Sequence, residues 1–248
     1  MVYNNLKNSF PQKEKTRLIA IEKEFYHHFC DLLVESIKIF NISKGELIKR
    51  CRLVNPSLLK QYAQKNKSVI IYAGHYNNWE LAATACNLQM PHQTVVIYAP
   101  LKNKFIDRQV QESRTKYGTV MWPMRQVKVN FEQQKTLLKA VLFAGDQSPT
   151  IARSAYWTSF LNQDTGVMIG AEKYAKKYDY PVLFGKISKI KRGYYQFEFI
   201  PLENNPSSTK FGEISEKYTR ILESVIVETP QYWLWSHRRW KKKRPKKN

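Results

Sequence analysis

The sequence predicts an α/β fold, a mostly parallel central sheet with flanking helices and an N-terminal helical segment. Three observations predict it. Short apolar runs rich in β-branched residues recur after residue 65, stretches with helical periodicity fill the gaps between them, and a long amphipathic stretch precedes the first run. Runs that are apolar at every position are strands buried on both faces, and strands alternating with helices build a sheet covered on both sides.

Taken in order, Leu18, Ile21, Phe25, Phe29, Leu33, Ile37 and Phe40 recur at three- and four-residue steps. They predict one helix over about 13–40 with that stripe facing inward. Cys30 belongs to this helix and is expected in its core, as free cysteines usually are. The polar patch NISKG at 41–45 ends the helix, and one or two shorter helices run to about residue 64. The predicted strands are SVIIYA at 68–73, TVVIY at 94–98, AVLFA at 140–144, PVLFG at 181–185 and YQFEFI at 195–200. Helices are expected over 79–87, 103–117, 131–139, 166–177 and 212–227. The KRG turn at 191–193 makes the last two strands an antiparallel hairpin. The chain therefore reads as a single domain, with a helical part over 1–64, an α/β core over 65–237 and a basic tail over 238–248. The aromatics that close it (Tyr232, Trp233, Trp235, Trp240) are expected mostly in the core. Trp235 and Trp240 stand beside basic residues and would also suit a membrane interface. The tail reads as a solvated end that is also suited to binding a membrane or a partner.

The charge is unusual. Lys and Arg number 41 against 20 Asp and Glu, a net +21. Such a balance calls for a polyanionic partner, whether nucleic acid, anionic lipid or an acidic protein, without choosing among them. Cys30, Cys51 and Cys86 are far apart, odd in number and lack C-x-x-C spacing. A disulfide framework and a zinc cluster are both poorly supported, and a reducing compartment fits best. No apolar run reaches the roughly 20 residues that span a bilayer, and no signal-peptide core opens the chain. As written, the protein is expected to be soluble or peripheral.

The residues that suggest chemistry lie at strand ends. His75 follows the first predicted strand and Glu80 opens the next helix. Carboxyl ends of strands face the ligand crevice of open α/β sheets. A carboxylate on one ring nitrogen would make the other a better base, able to deprotonate a hydroxyl that attacks an ester or thioester. H-x-x-x-x-E alone is a weak motif, since a helix-capping His explains it equally well. No G-x-S-x-G is present and no Cys sits beside a His in a recognised nucleophile pattern, so no covalent intermediate is indicated. His92 reads as a loop residue.

Three further segments matter: DRQVQESR at 107–114 followed by Tyr117 and Gly118, GDQSP at 145–149, and PQYWLWSHRRWK at 230–241. With GHYNNWEL at 74–81, and in this order, they resemble the late acyltransferases of lipid A biosynthesis, the lauroyl/myristoyl transferase family. The resemblance covers nearly the whole chain, including NLKNSFP at 5–11. It implies a glycerolipid acyltransferase-like fold and transfer of a fatty acyl chain from acyl carrier protein to a hydroxyl of a lipid A precursor, with acyl carrier protein as donor and no cofactor or metal. It makes His75 the general base and Glu80 its orienting partner. Arg114 matches the family's essential Arg, which would hold phosphate or the transition state, as its planar fork allows. Asp146 matches the essential Asp, with a role in fixing Arg114 or its loop. Substrate contacts are expected from Asn77, Asn78, Trp79, Gln147, His237, Arg238 and Arg239, with backbone N–H groups at the Asn77–Asn78 turn for the oxyanion. For His237, packing and phosphate contact both remain open.

The resemblance also implies an acidic carrier protein and anionic membrane lipid as partners, a monomer, and the cytoplasmic face of the bacterial inner membrane. The family usually begins with a transmembrane helix and a basic linker, and this chain starts where that helix would have just ended. The GDQSP segment departs in detail from the commonest family version, which leaves the acceptor open, and another phospholipid or a glycolipid is the alternative. Two competing readings are a nucleic-acid-binding module, for which no RNP aromatics, GXXG clamp or zinc spacing is present, and an inactive relative that keeps the fold.

Overall fold

The computed structural model describes residues 1–246, so Lys247 and Asn248 of the expected tail lie outside the described residues. The chain opens with helices α1 (Val2–Ser9), α2 (Lys15–Ile39) and α3 (Lys44–Arg50). Strand β1 (Cys51–Leu53), α4 (Pro56–Gln64), β2 (Val69–Ala73), α5 (Trp79–Cys86), β3 (Gln93–Tyr98), α6 (Lys104–Thr115) and β4 (Val120–Pro123) follow. Then come α7 (Val127–Gln133), β5 (Lys139–Ala144), β6 (Tyr156–Phe160), β7 (Gln163–Val167), α8 (Gly170–Tyr178), β8 (Val182–Lys191), β9 (Tyr194–Glu203) and α9 (Glu213–Glu228).

Seven strands form one sheet in the order β1-β9-β8-β2-β5-β3-β4, while β6 and β7 form a separate antiparallel hairpin. From β8 to β4 every neighbouring pair is parallel; β9 runs against β8, and β1 runs parallel to β9. This is the mostly parallel sheet that the apolar runs predict. Its two faces build two cores. One gathers Ile70, Tyr72, Val141 and Phe184 with α8, α9 and the C-terminal aromatics. The other gathers Val69, Ile71, Ala140 and Leu183 with α5.

Several expectations change. Residues 1–64 are not wholly helical, because β1 adds to the sheet edge beside β9. β4 and the β6–β7 hairpin were not expected, α7 starts four residues before the expected 131, and α8 starts at Gly170, after β7 has taken Gly166 and Val167. The long helix is α2, but its buried line runs through Leu18, Ile21, Phe25, His28, Leu32 and Ile39. Leu33 and Ile37 lie about a hundred degrees around the helix from that line and are 53% and 71% exposed. Phe40 is exposed, and Cys30 is on the surface rather than in the core. His92 lies in the loop before β3, as expected, and is buried there with its Nε2 on the carbonyl of Lys67 at 2.9 Å. The start of the basic tail is pinned: Arg239 is buried and donates to the carbonyl of Gly166, Trp240 donates to Thr165 Oγ1, and Arg244 pairs with Asp164. Trp235 is fully buried with its indole N–H on the carbonyl of Pro230, so it packs the core rather than meeting an interface.

Candidate active site

Strands β2 and β5 are sheet neighbours in parallel register, with Ala73 opposite Ala144. The ladder runs one step further, from Gly145 N–H to the carbonyl of Ala73 at 3.1 Å. Two residues past each strand end, the register therefore sets His75 beside Asp146. Both intervening positions are glycine for a steric reason. A Cβ on Gly145 would lie 2.1 Å from the Tyr72 ring, and one on Gly74 would lie 2.9 Å from Leu222 and 3.4 Å from the Asp146 carboxyl carbon. That close approach fixes both loops.

Asp146 accepts three hydrogen bonds. His75 Nδ1–H donates to Oδ1 at 2.7 Å, and the His75 backbone N–H and the Trp233 indole N–H donate to Oδ2, each at 2.8 Å. The carboxyl is almost sealed, with a side-chain exposure of 2% against 19% for His75. Burial alone would push its pKa up. The charge and hydrogen bonds of His75 and the indole N–H overcome that and hold Asp146 below the usual carboxylate range. The reverse holds for His75: burial lowers its pKa, but the Asp146 charge and hydrogen bond, helped by Glu80, leave it raised. A carboxylate accepting from Nδ1–H also fixes the tautomer, leaving the Nε2 lone pair free to take a proton. Nε2 is met by the Gln147 amide at 3.3 Å, and the ring lies edge-on to Trp79.

Glu80 is therefore not the partner of His75. The helical turn that starts α5 carries it away toward α6, where Arg114 grips both carboxylate oxygens at 2.7 and 2.5 Å. The Trp79 indole N–H adds a third bond at 3.0 Å. Nor does Asp146 fix Arg114; its donors all come from His75 and Trp233. The four expected residues form two ion pairs; His75, Glu80 and Arg114 are each about a fifth exposed, and only the Asp146 carboxylate is sealed.

Both pairs stand at a cavity of about 630 Å³ at the carboxyl ends of β2, β3 and β5. His75, Glu80, Arg114, Trp79 and Gln147 line it, and most of the remaining lining is apolar, including Ile71, Ala82, Cys86, Val96, Leu142 and Phe199. Cys86 is not a candidate nucleophile, since burial raises its thiol pKa far above its ordinary value.

The other expected contacts lie elsewhere. Asn77, at φ 54°, and Asn78 are both 1% exposed. The Asn77 amide donates to the carbonyl of Ile187, and its backbone N–H, suggested for the oxyanion, is spent on the carbonyl of Tyr232 at 2.9 Å. Asn78 caps α5 by accepting from Leu81 N–H and donates to Glu35. His237 Nε2 accepts from Ser148 N–H at 3.1 Å, which ties it to the loop after β5. Arg239 is buried on Gly166, and Arg238 is on the surface. What sequence reasoning missed is Trp233, read as core but serving as a donor to Asp146. The legible signal was the register: residues equally far past two neighbouring parallel strands meet.

A His–Asp pair at an apolar cavity could serve transfer of a long acyl chain. The sequence model of the family described as bacterial lipid A biosynthesis acyltransferase matches residues 1–242. The chain belongs to that family. Comparison with curated protein sequences gives no match. In this lipid A biosynthesis acyltransferase the site combines a His–Asp pair with a buried carboxylate, a half-buried Glu–Arg pair and an apolar cavity. No helix among the described residues is long and apolar enough to cross a membrane.

Proposed function

We propose that the protein moves a fatty acyl chain from acyl carrier protein to a hydroxyl of a lipid A precursor by direct attack, with His75 as general base and Asp146 as the residue that positions it. The observation that carries this reading is the His75 Nδ1–Asp146 hydrogen bond at the mouth of the apolar cavity. His75 Nε2 takes the proton of the acceptor hydroxyl as its oxygen forms a bond to the thioester carbonyl carbon. The carbon–sulfur bond then breaks, and the imidazolium returns the proton to the departing thiolate of the carrier. Atoms and charge balance without a covalent enzyme intermediate. The Gln147 amide gives up its place at Nε2 to the acceptor hydroxyl. Arg114 supplies the charge-assisted contact to a phosphate of the acceptor, and Glu80 holds its fork in place until then.

The test is incubation with carrier-bound fatty acyl chains and a tetra-acylated lipid A precursor, followed by mass spectrometry of the lipids. The expected result is a gain of one acyl group, lost in His75→Ala. An equal gain with His75→Ala would sink the general-base assignment, and gain only on a different added phospholipid would move the acceptor.

A further inference from the structure

The rim of the cavity is apolar on its outside as well as inside. Helix α6 forms one wall: Asp107, Val110 and Arg114 line the cavity. The same helix and the loop before it turn Leu101, Phe105 and Ile106 to solvent, 48%, 64% and 48% exposed. Met124 joins them across the mouth, and both Leu101 and Met124 also line the cavity. This shape is fixed, not frayed. Asn103 caps α6 by accepting from the backbone N–H groups of Phe105 and Ile106, and Asp107 accepts from Leu101 N–H at 2.8 Å. Large apolar groups clustered at a pocket mouth mark a surface that meets a partner.

The side chains between them are exposed cations: Lys102, Lys104, Arg108 and Arg125. Apolar groups interleaved with Lys and Arg suit the interface of an anionic bilayer, where hydrocarbon enters the headgroup layer and cations meet lipid phosphates. The cations and the apolar groups alternate within one short stretch, the pattern of a segment lying in the headgroup layer. We infer that this rim, the loop and first turn of α6 together with Met124 and Arg125, seats the protein on an anionic lipid bilayer, so that a lipid acceptor enters the cavity without crossing water. The inference rests on the proposed reading of the acceptor as a membrane lipid.

The test uses the full chain with two kinds of vesicle, phosphatidylcholine alone and an equal mixture with phosphatidylglycerol. Sedimentation is expected only with the anionic vesicles. Each cation is worth about five-fold in partitioning to such a surface, so Lys102→Ala with Lys104→Ala weakens binding about 25-fold. Phe105→Ser with Ile106→Ser weakens it at least about ten-fold by removing the inserted hydrocarbon. A second readout guards against misfolding. With Cys30→Ser removing the exposed thiol, Phe105→Cys carries an environment-sensitive fluorophore, whose emission shifts to the blue on adding anionic vesicles.

Binding that leaves the label in water, or that ignores both double variants, overturns the inference and places adhesion elsewhere on the chain. If the lysine variants bind vesicles normally but lose transfer from the carrier protein, the rim is a carrier-docking site and the inference fails. Transfer to a detergent-dispersed acceptor separates the two proposals. The rim variants keep the parent rate there, whereas absence of transfer by the parent protein counts against the proposed function and leaves the vesicle result standing.

Discussion

Asp146→Asn tests the site most sharply, because the substitution keeps shape and changes only what the side chain can accept. Three N–H groups converge on the carboxylate: His75 Nδ1–H on one oxygen, His75 backbone N–H and Trp233 Nε1–H on the other. An asparagine offers one oxygen. That oxygen must take the backbone and indole donors, because neither can turn away or change its protonation. The amide NH2 then faces His75 Nδ1, which has to become an acceptor. The ring proton moves to Nε2, and the nitrogen that should receive the hydroxyl proton no longer has a free lone pair. Positioned general-base catalysis and the tautomer it needs are worth about 10²–10⁴ in rate, or about 3–5 kcal/mol of barrier. The assay is kcat/KM against pH. In the parent enzyme the rate rises with pH through a His75 pKa lying above its ordinary 6.5, because the base must be neutral and Asp146 favours the cation. Removing the carboxylate charge leaves burial as the main influence, so the residual activity of the variant has its rising limb at lower pH. A loss smaller than about five-fold with an unmoved limb would refute the assignment of Asp146 as partner of His75.

Four other expectations follow. Glu80→Gln moves the rising limb far less than Asp146→Asn does, because Glu80 bonds Arg114 and not His75; equal shifts in the two profiles would return Glu80 to the role its spacing suggests. Arg114→Lys raises KM for a phosphorylated acceptor about ten-fold with a smaller change in kcat, since an ammonium cannot reproduce the two-pronged grip; the check is steady-state kinetics in the acceptor. Gly145→Ala places a methyl 2.1 Å from the Tyr72 ring, which is stacked on Tyr218 at 3.7 Å, so unfolding experiments should show a loss of about 1–3 kcal/mol or more along with lowered activity. Titration of the native protein with a thiol reagent modifies Cys30 alone, with Cys51 and Cys86 reacting only on unfolding; three fast-reacting thiols would contradict the core described for the α5 face.

The fold was legible where local pattern and length together decide. Runs such as VIIYA at β2 and AVLFA within β5 are apolar at every position, and their shortness, with helical stretches between them, marks them as strands of a doubly covered sheet. What stayed hidden depended on contacts distant in sequence. β4 carries Trp122 into the core but has only four residues, too few for a period. The outward turn of Leu33 and Ile37 follows from where α2 meets the C-terminal segment, which its own sequence does not specify. The partner of His75 was hidden for the same reason. Local spacing nominates Glu80, five residues on, whereas the strand order seats β5 beside β2 and brings Asp146 across 71 residues of chain.

The same logic reassigns the terminal aromatic-basic segment. Its residue types suggest membrane or phosphate contacts, yet its bonds run to the loops after β2 and β5. Leu234 N–H donates to the carbonyl of His75, the carbonyl of Tyr232 accepts from Asn77 N–H, Trp233 donates to Asp146, and His237 accepts from Ser148 N–H. These bonds hold the loop after β2 and the loop after β5 against one another from outside the sheet. Asn5 of α1 in turn donates to the carbonyls of Trp235 and His237, which braces the segment from behind. A buried carboxylate is costly unless its hydrogen bonds are complete, and Asp146 reaches three only because an indole arrives from the far end of the chain. Trp233 therefore supports the proposed base through Asp146, by completing the hydrogen bonds of the carboxylate that holds His75. Trp233→Phe, which keeps an aromatic ring near Phe160 and Trp235 but removes the N–H and part of the indole's volume, should cost at least about 1.5–3 kcal/mol in stability, the range for a bond to a charged group, and move the rising limb of the pH profile. A stability loss with an unmoved limb would reduce the indole to packing alone.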